Sequence, residues 1–286
     1  MIRLTQTIND PNGIVSKLIF EDEGAIAEAV AYRYQDRGVV CFSVQSGCRV
    51  GCRFCGTGRK FIRDLSSGEM LLQIGEALKV IGHRDRLEIM SMSMGEPMDN
   101  WDRTRDCIGL LMESDPNTRF YLSTTCLDKP NVLTEIVDLG KAHPNFGLQF
   151  SLHHWNNFRR KALLGNFAEL MPLPFLMAWA NNWKDNTGKR AYFNYIATGK
   201  ETMAESKEIA RVVKGQHLTC SVMCNTRAMK VGLMNPATEL SLMVNKISDV
   251  AKWDIETSVF NPAGQDTVGG GCGQLLYVQK KLKEIV

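Results

Sequence analysis

Residues 41–55 read CFSVQSGCRVGCRFC, and four of the chain's nine cysteines fall inside this stretch. Cys48, Cys52 and Cys55 stand in a C-x3-C-x2-C spacing, with Phe54 before the last and glycines at 47, 51, 56 and 58. Glycines let a tight loop fold its thiolates inward around one object. Three thiolates suit a cubane iron–sulfur cluster; such a cluster usually takes four, so one iron is left for an exogenous ligand. An open iron can chelate the amino and carboxylate groups of S-adenosylmethionine, and reductive cleavage of that sulfonium yields a 5′-deoxyadenosyl radical. Zinc is the competing reading. It wants a fourth protein ligand and usually paired C-x2-C units, and this chain has one such unit. Three unrelated buried cysteines are the bland alternative.

Such a loop needs a frame. Residues 14–20 and 25–34 read as two opening strands and VVCFSV (39–44) as a third. LSSGEMLLQIGEALKVI follows as a helix, with Ser66 and Glu69 at capping-box spacing. The alternation repeats: strand 87–94, then a helix capped by Asn100 and running to Ser114; strand 119–126, then a helix over 130–143. Strand 146–153 precedes a helix over 168–183, strand 191–198 a helix over 201–214, and strand 217–224 a helix from Pro236 to Trp253. Six βα units with near-continuous apolar strands predict a parallel sheet covered by helices. The expected fold is α/β, a partial (β/α)6 TIM-type barrel with a short N-terminal β extension. A single domain is expected over 1–286: extension 1–38, core 39–262 and C-terminal segment 263–286. Chemistry in such folds gathers at the C-terminal ends of strands. Cys48, Gly95, Glu96, Ser123, Ser151, Leu152, His153 and Asn225 all fall there.

The cysteine loop within GVVCFSVQSGCRVGCRFCGTG, with SMGEP (93–97), LSTT (122–125), SLH (151–153) and GCGQL (271–275), resembles the radical S-adenosylmethionine superfamily. Within it the chain is similar to the RlmN/Cfr branch of RNA adenine methyltransferases, over about residues 13 to 276. The resemblance implies a [4Fe-4S] cluster on Cys48, Cys52 and Cys55, and two molecules of S-adenosylmethionine per turnover. It also implies how the reaction runs. Carbon 2 or carbon 8 of adenine is electron-poor and cannot attack a methyl sulfonium, so a cysteine thiolate first carries the methyl group. Hydrogen abstraction from that S-methyl group lets its carbon add to the ring, which tethers the base to the protein. A base then removes the ring proton, and a second thiol closes a disulfide against the first to release the product.

Cys272, in GGGCGQL, matches the family's methyl carrier, Cys41 the second thiol and Glu28 the proton acceptor. On residues alone, Cys41 reads as a core cysteine and Glu28 as an exposed glutamate on an edge strand. If residues 26–30 form a strand, Ile26, Glu28 and Val30 share a face. A carboxylate among such apolar neighbours has a raised pKa, which suits a general base. Gly95 and Glu96 resemble the motif that receives the cofactor's amine, while Ser123, Ser151, Leu152, His153 and Asn225 match other cofactor contacts. Taken singly, each polar residue among them is also a strand-end group satisfied locally. Cys220 and Cys224 have no family counterpart and read as strand packing, and Cys107 and Cys126 as structural.

Several departures bear on the substrate. RlmN and Cfr carry an N-terminal accessory domain implicated in RNA binding, and by the alignment no such domain is expected before the barrel here. His154-Trp155 replaces a small residue and proline, residues 198–204 lack the family's acidic, Asn-containing loop, and the proline after Asn225 is missing. The same chemistry on a smaller or non-RNA adenine is therefore a second reading, and a non-catalytic iron–sulfur protein that binds RNA a third.

Composition narrows the setting. Hydrophobic residues at 44% and charged residues at 23% are ordinary for a soluble globular protein, and no apolar run reaches the ~20 residues of a membrane span. MIRLTQTINDPNG has no apolar core of a signal peptide, so a reducing cytoplasm is expected. There nine unevenly spaced cysteines read as metal or catalytic thiols. A net charge of +3 argues against a protein that coats nucleic-acid backbones. RNA contacts are expected from Arg59-Lys60, Arg63, Arg159-Arg160-Lys161 and Lys280-Lys281, a merely solvated charged face being the alternative. The expected partners are ribosomal or transfer RNA as substrate and an electron donor such as flavodoxin or ferredoxin; no membrane is expected, and the chain is expected to be monomeric.

Overall fold

The structure is a computed structural model and describes residues 1–57, 60–115, 117–165, 169–222, 235–264 and 267–269. Three antiparallel strands open it: β1 (Arg3–Asn9), β2 (Val15–Glu21) and β3 (Ile26–Arg33). β3 pairs antiparallel with β4 (Gly38–Cys41), and from β4 onward the sheet is parallel. A short antiparallel ribbon, β5 (Gln45–Gly47) with β6 (Phe61–Asp64), brackets the cysteine loop. Then come α1 (Ser67–Ile81), β7 (Leu87–Met90), α2 (Trp101–Ser114), β8 (Arg119–Thr124), α3 (Pro130–Ala142) and β9 (Phe146–Ser151). The chain continues through α4 (Asn157–Leu164), α5 (Leu173–Thr187), β10 (Tyr192–Ile196), α6 (Met203–Val212), β11 (His217–Ser221), α7 (Pro236–Ala251) and β12 (Glu256–Phe260). One ten-stranded sheet runs β1-β2-β3-β4-β7-β8-β9-β10-β11-β12.

The six predicted βα units are present, followed by β12 as a further parallel strand. The parallel strands are apolar along their length because helices cover one face and the cavity interior the other. Between sheet and helices lies the main core, where the Phe120 and Phe146 rings stack at 5.8 Å and Trp183 of α5 meets Phe146 at 6.1 Å. Each fully buried phenylalanine contributes about 1.5–3 kcal/mol. β1 and β12 are the sheet's two edges. The segment after β12 returns to the opening strands: Val268 packs with Val15, Val30 and Tyr32, and the Ala263 N–H donates to the Tyr34 hydroxyl at 3.4 Å. That return brings Phe260 and Val30, seven strands apart in the sheet, onto one cavity wall.

Three local expectations are corrected. β1 was unforeseen because RLTQTIN is exposed on nearly every residue and so lacks apolar alternation. The helix expected over 168–183 is Leu173–Thr187, started by Pro172 and closed by left-handed Gly188, and a separate α4 precedes it. Asn100 stands at the N-cap of α2 but makes no capping hydrogen bond. Its amide instead donates to the carbonyls of Val44 and Leu65, both at 2.8 Å, and ties the cysteine loop's two stems together. The Ser66–Glu69 capping box forms as expected.

Candidate active site

The inward strand ends enclose a cleft of about 1090 Å3, its open mouth included. Cys41, Cys48, Cys52, Cys55, Gly95, Glu96, Ser123, Ser151 and His153 all line it. Leu152 does not; it is fully buried in the main core. Asn225, Cys224 and Cys272 lie outside the described residues. Gly269 lines the cleft, three positions before Cys272, a stretch that spans at most about 10 Å when extended.

The cysteine loop is pinned at its root. Gly47 has φ +82, and a Cβ there would stand 1.8 Å from the Lys60 carbonyl oxygen, the same oxygen that accepts from the Cys48 N–H at 3.0 Å. Among the described residues, no three His, Cys, Asp or Glu side chains converge as a single-ion site. Cys48, Cys52 and Cys55 line one cleft, and in a multi-iron cluster each such thiolate takes its own iron. Burial pushes the Cys48 thiol up to about 12, with the charges of Glu96 and Cys55 adding to it. Metal binding supplies the deprotonated form that burial opposes.

Gly95 has φ +101, and a Cβ there would lie 2.7 Å from both the backbone nitrogen and the Cβ of Gln45. The following Glu96 is 1% exposed. Its carboxylate accepts from the Met98 N–H (3.0 Å), the Thr125 N–H and hydroxyl (both 2.7 Å) and the Thr124 hydroxyl. Burial pushes the Glu96 carboxyl up against the pull of those four donors. Beyond the amine-binding role expected of it, Glu96 thus ties the turn after β7 to the end of β8. The Ser123 hydroxyl donates to Gln149 on β9 at 2.7 Å. His153 sits at φ +53 with its ring edge-on to Phe54 at 5.0 Å. Burial first, then the Arg160 charge, brings its pKa down to about 3, so the ring is neutral.

Cys41 ends β4, with Val30 of β3 and Met90 of β7 as its register partners. Glu28 lies on β3 two residues from Val30, on the same face, and is fully buried. Apolar burial was expected, but its closest charged neighbour was not. Lys17 on β2 places its ammonium 3.2 Å from Glu28 Oε2, with side-chain exposures of 2% and 0%. A lysine inside VSKLIF, alternating in phase with Val15 and Ile19, was the signal available in the sequence.

Two of the arginines expected on an RNA-facing surface make internal contacts. Arg63 bridges Glu69 (2.8 Å) and Asp22 (2.6 Å) while its side chain stays partly exposed. Arg160 is 1% exposed and donates to the carbonyls of Thr125 (2.6 Å), Met171 (3.0 Å) and Ser151 (3.3 Å), bracing the strand ends beneath the cleft. Lys60, Arg159 and Lys161 are exposed, whereas Arg59, Lys280 and Lys281 fall outside the described residues.

Residues 42–171 match the sequence model of the radical SAM superfamily. The probable dual-specificity RNA methyltransferase RlmN of Clostridium acetobutylicum is 30% identical over 283 residues, covering 96% of this chain and 79% of that protein. The protein of the same description from Clostridium botulinum strain Loch Maree is 31% identical over 274 residues, covering 92% and 77%. The chain belongs to the RlmN family of radical S-adenosylmethionine methyltransferases. A radical SAM methyltransferase from Sphaerobacter thermophilus shares the fold at a TM-score of 0.75 and 27% identity, over 96% of this chain and 80% of that one.

An RlmN-family enzyme uses a [4Fe-4S] cluster and S-adenosylmethionine, and the cleft fits both. The three thiols would hold the cluster. Beside them the Thr57 hydroxyl and His153 Nδ1 are buried on the cleft wall with no hydrogen-bond partner among the described residues. Buried polar atoms are rarely left unsatisfied, so a bound polar molecule accounts for both. Among the described residues, no helix is long and apolar enough to cross a membrane.

Proposed function

We propose that this enzyme methylates carbon 2 or carbon 8 of an adenine in ribosomal or transfer RNA, with Cys272 as methyl carrier, Glu28 as proton acceptor and Cys41 as resolving thiol. One observation carries the reading: Cys41, the three cysteines of the loop and Gly269 line one cleft, and Glu28 is buried in the strand beside it. RNA as the substrate class follows the names of the relatives in the family. When bound, the reduced cluster and S-adenosylmethionine supply the methyl group and the one-electron chemistry that activates it, two molecules of the latter being used per turnover. A flavodoxin- or ferredoxin-type carrier supplies the electron.

The chain's own residues do the rest. Cys272, in a run of glycines, brings its thiol to the cleft and holds the methyl carbon that bonds to the ring. The addition leaves an unpaired electron on the ring, which the oxidised cluster would take back, and Glu28 takes the ring proton from the tethered base. The Cys41 thiolate then attacks the Cys272 sulfur. An S–S bond forms as the S–C bond breaks, and the released electron pair and a proton complete the methyl group on the adenine.

Anaerobically reconstituted enzyme, given S-adenosylmethionine, a reductant and RNA, is expected to carry one methyl group on Cys272 by peptide mass spectrometry. Nucleoside analysis of the RNA should show a ring-methylated adenosine and assign the carbon. An unmodified Cys272 in turning-over enzyme would rule out the carrier, and methylation confined to free nucleotide or DNA would rule out RNA.

A further inference from the structure

Lys17 and Glu28 lie on neighbouring antiparallel strands, with Lys17 opposite Val30 and Ile19 opposite Glu28. Diagonal same-face neighbours in such a pair are within reach of a long side chain, and the ammonium closes to 3.2 Å of the carboxylate. Taking two opposite charges out of water is costly, and well-packed apolar residues of similar volume often serve stability as well or better. A pair buried this completely beside a reaction cleft therefore points to a role other than stability.

We propose that Lys17 is the positioning residue of the proton acceptor, holding the Glu28 carboxylate ionised and fixed in the strand beside the cleft so that it can take the ring proton. This rests on the reading of Glu28 as that acceptor. In the step, the ring C–H bond breaks and an O–H bond forms on Glu28, while the bonding pair stays in the adenine ring. Lys17 keeps its own proton throughout.

The surroundings favour this assignment. The Glu28 backbone is clamped, its carbonyl accepting from the hydroxyls of Ser43 (2.6 Å) and Ser93 (2.7 Å). Ile19, Ile26 and Met94 form an apolar cluster on one side of Glu28, and Val30 and Met92 belong to another on the other side. Among the described residues, the titratable side chains of the paired strands on this face are Lys17 and Glu21 on β2, Arg3 on β1 opposite Glu21, Tyr32 farther along β3 and Cys41 on β4, and of these the Lys17 ammonium stands 3.2 Å from the Glu28 carboxylate. From α1, on the sheet's other face, Glu69 is taken up by Arg63. Lys17 is thus the cation set against Glu28. A carboxylate in apolar surroundings without a cation retains its proton at neutral pH and cannot accept another.

The first measurement needs no change at position 17. Carbon-13 carboxyl NMR of the cofactor-free protein, with the Glu28 signal assigned by its loss in Glu28→Gln, should find Glu28 ionised at pH 7. In Lys17→Met its titration should move up by about one pH unit or more, and release of the covalent RNA–protein adduct should slow about tenfold at pH 7 and recover in alkali. Lys17→Arg should restore both. Lys17→Gln repeats the test if the methionine variant fails to fold. A protonated Glu28 in the wild-type protein at pH 7 overturns the inference, as do neutral variants whose Glu28 titration and adduct release match wild type at every pH. Normal product release by Glu28→Gln would instead overturn the proton-acceptor reading itself.

Discussion

His153 shows how one residue's environment becomes measurable. Its ring is buried and neutral, with a pKa near 3 set by burial and the Arg160 charge. The unfolded chain, with an ordinary value near 6.5, therefore binds this proton first as pH falls. Stability from this site is full above about pH 6.5 and declines by up to about 1.4 kcal/mol per pH unit toward the folded value. Asparagine tolerates left-handed backbone such as φ +53. His153→Asn should therefore gain on wild type by about 3 kcal/mol between pH 7 and pH 4 in urea melts of the cofactor-free protein. Parallel stability curves would show that the ring is not held neutral. Cys41 makes a prediction of a different kind. Cys41→Ala should keep its cluster, by iron content and visible absorption, while RNA stays bound through a denaturing gel. Normal turnover of that variant would remove Cys41 from the mechanism.

At the scale of elements, α1 is anchored from its first turn. Glu69 closes the capping box with Ser66, pairs with Arg63 and accepts the Ile2 N–H at 3.0 Å, so one carboxylate joins the helix to β6 and to the start of the chain. Its pKa is brought down to about 2, chiefly by the Arg63 hydrogen bond. A depressed carboxyl stabilises above its unfolded value near 4.5 and loses that contribution as pH falls toward 2. Glu69→Gln should cost about 2–3 kcal/mol at pH 7, discounted for the partial exposure of Arg63. The gap to wild type should narrow steadily as pH falls from about 5 toward 2 in denaturant melts, and a gap independent of pH would mean that Arg63 does not set it. The capping box was legible because Ser66 and Glu69 announce it by spacing, and the six βα units because buried parallel strands read as apolar runs. β1 and the true role of Asn100 were not legible. An edge strand whose only apolar residues are Leu4 and Ile8 shows no alternation to detect, and which carbonyls an asparagine amide meets depends on contacts 35 and 56 residues away.

Across the whole molecule, what was legible in the site was its list of cleft residues, and what escaped was how charges are divided between surface and interior. The run Arg159-Arg160-Lys161 reads as one basic patch, yet a helix sends neighbouring residues in different directions. Arg160 turns inward to the carbonyls under the cleft, while Arg159 and Lys161 stay exposed next to Phe158, which is 81% exposed. With a net charge of only +3, attraction for RNA must come from such local positions rather than from the field of the whole chain. Arg159→Gln and Lys161→Gln should each weaken RNA binding and lower the slope of log affinity against log salt by about 0.7, the value for one phosphate contact on a single strand. Phe158→Ala should weaken binding without changing that slope, because stacking displaces no counterions. Arg160→Gln should also leave the slope unchanged but loosen S-adenosylmethionine binding, since it unties the ends of β8 and β9. Titrations of a fluorescent RNA at several salt concentrations separate these outcomes. Wild-type slopes in both the Arg159 and Lys161 variants would take α4 off the path of the RNA.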